Sequence, residues 1–62
     1  MPFIQIHMVE GRSVEQKREI AAAVTADVSR IAKVPPDRVK IYFFDIKKED
    51  MASGGVLRAD EH

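Results

Sequence analysis

Two short alternating segments on either side of one long helical pattern constrain the fold of this chain most. Apolar side chains recur at every second position in residues 3–9 and again in residues 38–46, which is typical of half-buried strands. Residues 14 to about 33 carry a helical pattern between them. A strand, a helix and a second strand in this order predict parallel strands with a right-handed crossover. The predicted fold class is therefore α+β, with a single βαβ unit in one domain spanning residues 1–62.

The predicted helix has a recognisable start and end. Ser13 is expected to be the N-cap, with Gln16 three residues later to complete a capping box. Pro35-Pro36 should end the helix, because the residue before a proline avoids the helical region. Four aliphatic residues at helical spacing predict the packed face of the helix: Ile20, Val24, Val28 and Ile31. Four polar residues predict the opposite face: Lys17, Glu19, Thr25 and Arg30.

Glycines predict two tight turns. Gly11 follows the first strand and is able to take a positive φ. Gly54-Gly55 lies after Ser53, and a short C-terminal strand or hairpin is expected over residues 56–58.

One helix can cover only one face of a two-stranded sheet. Ile4, Ile6, Met8, Val39, Ile41 and Phe43 share the face expected to meet the helix, and Phe3, Val9, Tyr42, Phe44 and Ile46 lie on the other. This second face is a larger exposed apolar patch than a soluble monomer usually has. The chain has 62 residues and no cysteine, so no disulfide stabilises its small core. We therefore predict a homo-oligomer with closed symmetry, and expect His7 to be a packing or interface residue.

Composition argues against several classes of partner. Ten basic and ten acidic residues give a formal net charge of zero, so no basic surface for nucleic acid or for a membrane is expected. No apolar run approaches the roughly 20 residues of a membrane helix. The N-terminus lacks the pattern of a signal peptide, and a cytoplasmic location is predicted. The spacing of His7 and His62 suggests no structural zinc site.

The second residue offers the most distinctive chemistry. If Met1 is removed, Pro2 carries a free secondary amine, which is both a base and a nucleophile. There is no cysteine, and no His-Asp-Ser set is evident, so any catalysis is placed on the nitrogen of Pro2. The alternative is that Pro2 is only a strand-edge residue, where proline is tolerated.

Three cations are candidates to accompany Pro2. Arg38 and Lys40 begin the second strand, and in a parallel pair they lie at the same edge as Pro2. Arg12 lies beyond the other end of the first strand, about 23 Å from Pro2 at 3.3 Å per residue. Arg12 can then reach only the Pro2 of a neighbouring subunit packed with its strands antiparallel, so the site would be shared. The alternatives are a solvated loop arginine for Arg12 and exposed edge charges for Arg38 and Lys40.

A longer set of motifs carries a resemblance to a known family. Pro2 is followed by Gln5-Ile6-His7, Glu10-Gly11-Arg12-Ser13, Glu15-Gln16-Lys17 and, late in the chain, Gly54-Gly55. Over essentially its whole length the chain resembles the 4-oxalocrotonate tautomerase family. The resemblance implies βαβ subunits assembled as homohexamers, which are trimers of dimers. It also implies an N-terminal proline that moves a proton between carbons of an unsaturated 2-oxo acid, with no cofactor and no metal.

The resemblance assigns roles to individual residues. Pro2 matches the general base, and Arg12 matches the arginine that binds a substrate carboxylate. The family's second arginine aligns with Lys40, which is a departure because lysine is a point charge and lacks the bidentate fork. Arg38 is the alternative for that role. The family's aromatic wall aligns with Met51, a second departure, and the alternative for Met51 is core or interface packing.

The physical chemistry of an amine agrees with the first role. A free α-amino group has a pKa of about 7.7–8.0, and an apolar pocket with nearby cations lowers that pKa towards working pH. Cations also stabilise the dienolate that forms. The hypothesis is a tautomerase acting on a 2-hydroxydienoate such as 2-hydroxymuconate. Two alternatives stay open. The first is a haloacrylate hydratase or dehalogenase in which protonated Pro2 is the acid; no water-activating acid is obvious for it, and Glu49 and Asp50 are the remaining candidates. The second is a non-catalytic oligomeric module, if Met1 is retained and Pro2 is an amide.

Overall fold

Parallel pairing of two strands organises the chain. In the computed structural model, which describes residues 2–61, strand β1 (Phe3–Val9) pairs in parallel with β2 (Lys40–Ile46). The register runs from Phe3 opposite Lys40 to Val9 opposite Ile46. Helix α1 (Val14–Ala32) connects the two strands, so the predicted βαβ unit is confirmed.

Both ends of α1 are capped locally. The Ser13 hydroxyl accepts the N–H of Gln16 at 3.1 Å, and the Gln16 side chain accepts the N–H of Ser13 at 2.9 Å, which completes the predicted capping box. At the other end Lys33 adopts the left-handed conformation, with φ 59°, and its N–H donates to the Ser29 carbonyl. The helix therefore stops before Pro35, as predicted. Among residues 2–61, no helix combines the length and the hydropathy that a membrane span needs.

The face of α1 that meets the sheet differs from the predicted one. Its half-buried residues are Lys17, Ile20, Ala21, Val24, Thr25, Val28 and Ser29. Placing Lys17 and Thr25 on the opposite face was wrong, and the Lys17 ammonium donates to the Asp45 carboxylate of β2 at 2.9 Å. Ile31 is 69% exposed. Nineteen helical residues span about 28 Å and seven strand residues about 23 Å, so α1 is longer than either strand.

The second strand begins later than predicted. Residues Pro36–Arg38 form a 3₁₀ turn, in which the N–H of Arg38 donates to the Pro35 carbonyl at 3.0 Å and that of Val39 to the Pro36 carbonyl at 3.1 Å. These bonds occupy the backbone groups that a strand would use. The predicted start at residue 38 was therefore wrong, and Arg38 does not share a strand face with Lys40.

A short hairpin completes the fold. Strands β3 (Ala52–Ser53) and β4 (Val56–Leu57) pair antiparallel around Gly54-Gly55, as expected. Both glycines have positive φ, 60° and 83°, which a two-residue hairpin turn of this kind requires. Two further 3₁₀ turns, Lys48–Asp50 and Arg58–Asp60, flank the hairpin.

The single chain has almost no core of its own. Among residues 2–61 only Val39 is buried, at 9% exposure. The accessible surface of 4911 Å² exceeds the roughly 4,000 Å² expected for a folded monomer of this mass. The radius of gyration, 14.8 Å, also exceeds the value of about 11 Å for a compact chain of this length.

The sheet face turned away from α1 exposes several large apolar side chains. Phe3 is 64% exposed, Tyr42 49% and Phe44 42%. The ring of His7 stacks on that of Phe44 on the same face, with centroids 4.7 Å apart. Val9 and Ile46, at the far end of the strands, are half-buried. The face is thus the one predicted to need covering.

Candidate functional site

Pro2 and Lys40 meet at the edge where both parallel strands begin. The carbonyl of Pro2 accepts the backbone N–H of Lys40 at 3.1 Å, and Pro2 is half-buried. The 3₁₀ turn that carries Arg38 leads directly into this edge. Three of the predicted site residues therefore lie together, because parallel pairing brings the two strand starts to one end of the sheet.

The cations at this edge keep their charge available. Lys40 donates through its ammonium only to a backbone carbonyl, that of Asp37, at 3.3 Å. In the described part of the chain neither Lys40 nor Arg38 belongs to an ion pair. Both residues are exposed. The edge therefore presents positive charge beside Pro2, which suits an anionic ligand.

Arg12 and Met51 meet at the opposite end of the sheet. They line a groove of about 670 Å³ together with Lys48, Arg58, Glu10 and Glu61. The groove is formed by the turn after β1, the turn after β2 and the C-terminal hairpin. Glu49 and Asp50, the acids of the haloacrylate alternative, lie in the 3₁₀ turn that begins at Lys48.

The predicted site residues thus form two groups separated by the length of the sheet. The ladder between β1 and β2 is continuous from Phe3 to Val9. Seven residues at 3.3 Å each keep the start of β1 about 23 Å from its end. Arg12 cannot serve the Pro2 of its own chain, so one protomer carries two halves of a candidate site.

Sequence reasoning missed two cations of the groove, Lys48 and Arg58. Lys48 was given no role, and Arg58 was assigned only to a short strand or hairpin. The signal for Arg58 was available, because a two-residue Gly54-Gly55 turn sets the hairpin register. Counting outwards pairs Ser53 with Val56 and Ala52 with Leu57, and the next pair is Met51 with Arg58. The structure shows this pair, with the N–H of Arg58 donating to the Met51 carbonyl at 2.8 Å.

His7 belongs to no candidate metal site among the residues that the structure describes. Residues 2–61 contain no group of three or more His, Cys, Asp or Glu placed to hold a metal ion. His7 is stacked on Phe44. His62 lies outside the described residues, and so does Met1. The Pro2 hypothesis requires the removal of Met1.

Comparisons with known proteins agree on one family. A sequence model described as tautomerase enzyme matches residues 2–61. The chain is 43% identical over 58 residues to a probable tautomerase of Streptococcus agalactiae, covering 94% of this chain and 97% of that protein.

Solved structures give the same result for the fold. A structure of the 4-oxalocrotonate tautomerase isozymes from Methylibium petroleiphilum matches with a TM-score of 0.89 and 41% identity, covering 94% of this chain and 91% of that one. A heterohexamer 4-oxalocrotonate tautomerase from Chloroflexus aurantiacus matches with a TM-score of 0.91 and 32% identity over 100% of both chains.

Proposed function

The chain belongs to the tautomerase family and is an isomerase-type enzyme, and we propose that it moves a proton on a 2-hydroxydienoate with the amine of Pro2 as general base. The substrate class is an unsaturated 2-oxo acid in its enol form, such as 2-hydroxymuconate. The observation that carries the proposal is the position of Pro2. It stands at the start of β1, bonded through its carbonyl to Lys40, and the family match begins at this residue.

The proposed reaction uses one proton and two groups of the enzyme at the Pro2 edge. Unprotonated Pro2 takes the proton from the 2-hydroxyl group and leaves a dienolate. The ammonium of Lys40 stabilises the negative charge on that oxygen. Protonated Pro2 then returns the proton to a carbon of the diene, which gives the unsaturated 2-oxo acid. Pro2 is then unprotonated again and ready for the next cycle. The amine exists only in the protein from which Met1 has been removed.

Arg12 completes the proposed site from a neighbouring subunit. It binds a substrate carboxylate, for which a guanidinium offers a two-pronged donor. The distance within one chain requires this sharing, and the exposed face of Phe3, Tyr42 and Phe44 supplies a surface for assembly. We propose a homo-oligomer, with a hexamer as its form. The relative from Chloroflexus aurantiacus, a heterohexamer, supports this number of subunits.

Purified enzyme is expected to accelerate the conversion of 2-hydroxymuconate into its 2-oxo isomer. The reaction removes the conjugated dienol, so the decay of its ultraviolet absorbance gives the rate directly. Phenylenolpyruvate serves as a second enol acid in the same assay. Rates equal to those in buffer alone for both compounds would contradict the proposed function.

Two variants, each much less active than wild type on its own, are expected to recover activity when they share an oligomer. Pro2→Ala subunits retain Arg12, and Arg12→Ala subunits retain Pro2. Random co-assembly at equal amounts should return up to about one quarter of the wild-type activity. Half of the subunits carry an intact Pro2 and half carry an intact Arg12, so about one quarter of the sites between subunits contain both. Activity is measured after co-refolding, with mixed oligomers verified by mass spectrometry.

The control for this experiment co-refolds Pro2→Ala subunits with the double variant Pro2→Ala/Arg12→Ala. No site in that mixture contains Pro2, so no recovery is expected. Sedimentation at micromolar concentration checks the assembly itself. A folded 7.0 kDa monomer alone, or verified mixed oligomers without recovery, would rule out the shared site.

A further inference from the structure

The hairpin holds Arg58 at the groove that contains Arg12. The backbone N–H of Arg58 donates to the Met51 carbonyl at 2.8 Å, one step beyond the β3–β4 ladder. Because Gly54-Gly55 sets that register, the position of Arg58 is determined by paired backbone. Arg58 and Arg12 both line the same groove of about 670 Å³.

The guanidinium of Arg58 already holds a carboxylate. Its Nη1 lies 2.6 Å from Oε2 of Glu61, three residues later, just after the last 3₁₀ turn. The two side chains are 51% and 38% exposed. An exposed pair between near neighbours in the chain is weak, because water competes for both charges. A second carboxylate that enters the groove can therefore replace Glu61.

The charges around the groove favour an entering anion. Arg12, Lys48 and Arg58 line it against Glu10 and Glu61, which leaves one positive charge in excess. In the described residues Arg12 and Lys48 form no ion pair, so Glu61 is the only carboxylate there that engages one of these cations. An adjoining depression of about 230 Å³ is also lined by Lys48, Arg58 and Glu61, so charged side chains continue beyond the groove.

We propose that Arg58 is a specificity-determining residue that, beside Arg12, binds the second carboxylate of a dicarboxylic substrate. In the free enzyme Glu61 pairs with Arg58, and the substrate carboxylate displaces Glu61 when it binds. This assignment rests on the proposed function, in which Arg12 receives a substrate carboxylate. The enzyme then discriminates between enol acids with two carboxylates and those with one. The discrimination comes from the C-terminal hairpin, at a distance from the proton transfer.

Arg58→Ala is expected to raise the KM for 2-hydroxymuconate, which has two carboxylates, by roughly tenfold. This is the lower end of the effect expected when a hydrogen bond to a charged group is lost. The KM for phenylenolpyruvate, which has one carboxylate, should change far less, so the readout is the ratio of the two KM values. Arg30→Ala is the matched control. Arg30 pairs with Asp27 three residues earlier on an exposed face of α1, outside the groove.

Glu61→Gln is expected to lower the KM for 2-hydroxymuconate by roughly threefold, since the competing carboxylate is gone and only an exposed pair is lost. Asp27→Asn is its control, because it removes the acid of the other pair. An unchanged KM ratio in both Arg58→Ala and Glu61→Gln would overturn the proposal. A rise in KM in Glu61→Gln would also overturn it, because Glu61 would then help binding.

Binding of two unreactive six-carbon dienes separates this assignment from the proposed reaction. Muconate carries two carboxylates and sorbate one, and neither has the 2-hydroxyl group. Titration followed by NMR should show muconate binding weakened roughly tenfold in Arg58→Ala, with sorbate binding unchanged. That result in a protein without tautomerase activity would reject the proposed reaction and keep Arg58 as a carboxylate-binding residue. Equal muconate affinity in wild type and Arg58→Ala would reject Arg58, whatever the activity.

Discussion

Converting the nitrogen of Pro2 into an amide is expected to lower the kcat for 2-hydroxymuconate by about 10²–10⁴-fold, the contribution of a positioned general base. A protein released with one glycine ahead of Pro2 makes this change without altering any side chain. The amide nitrogen cannot accept a proton, whereas the Pro2 carbonyl still accepts the N–H of Lys40. The strand pairing, and with it the fold, should be retained.

Two measurements make this experiment decisive. Intact mass of the wild-type protein should show the loss of one methionine, because the amine exists only without Met1. Pro2→Ala is the second variant, since it leaves an N-terminal amine of a different kind, and its kcat should fall between those of wild type and the glycine-extended protein. Full activity in a glycine-extended protein of verified mass would remove Pro2 from the mechanism.

Lys40→Ala is expected to lower kcat by about 10²–10³-fold, as for the loss of one donor to a developing oxyanion. Arg38→Ala should have a much smaller effect, because Arg38 lies in the 3₁₀ turn whereas Lys40 is bonded to Pro2 through the backbone. The two alanine variants act as matched controls for each other, since both remove one exposed cation near the same edge. Kinetics on 2-hydroxymuconate and phenylenolpyruvate provide the comparison.

Lys40→Arg adds a test in the opposite direction. The guanidinium binds a carboxylate and an adjacent carbonyl oxygen together, so this variant should preserve or raise activity on an enol acid. A larger loss in Arg38→Ala than in Lys40→Ala would transfer the role to Arg38. Unchanged kcat and KM in both alanine variants would remove the two cations from the site.

Local features of the fold were predictable because short-range interactions decide them. Ser13 and Gln16 form a capping box through bonds between residues three apart. Gly54 and Gly55 make a tight turn because both need positive φ. Alternation in the two strands predicted which face meets α1, and the half-buried Ile4, Ile6, Ile41 and Phe43 confirm it.

Errors arose where a residue's environment depends on another element. Ile31 fits the apolar spacing of α1, yet it is exposed in the last turn of a helix that is longer than the strands it connects. Lys17 was assigned to solvent on polarity, but Asp45 on β2 provides a partner for its ammonium. Arg38 was assigned to a strand because the alternation continued to it. The backbone bonds around Pro36 decide otherwise.

Of the candidate site, the sequence by itself determined the residue types and the two ends at which they lie. Pro2 and Lys40 meet because parallel strands start at one edge, and Arg12 lies at the other end because β1 is seven residues long. Only the tertiary structure brought Arg12, Met51, Lys48 and Arg58 around one groove. Three separate turns meet there, and their approach depends on how the hairpin folds back towards the end of the sheet. Spacing along the chain does not encode that approach, because it arises from contacts between segments far apart in sequence.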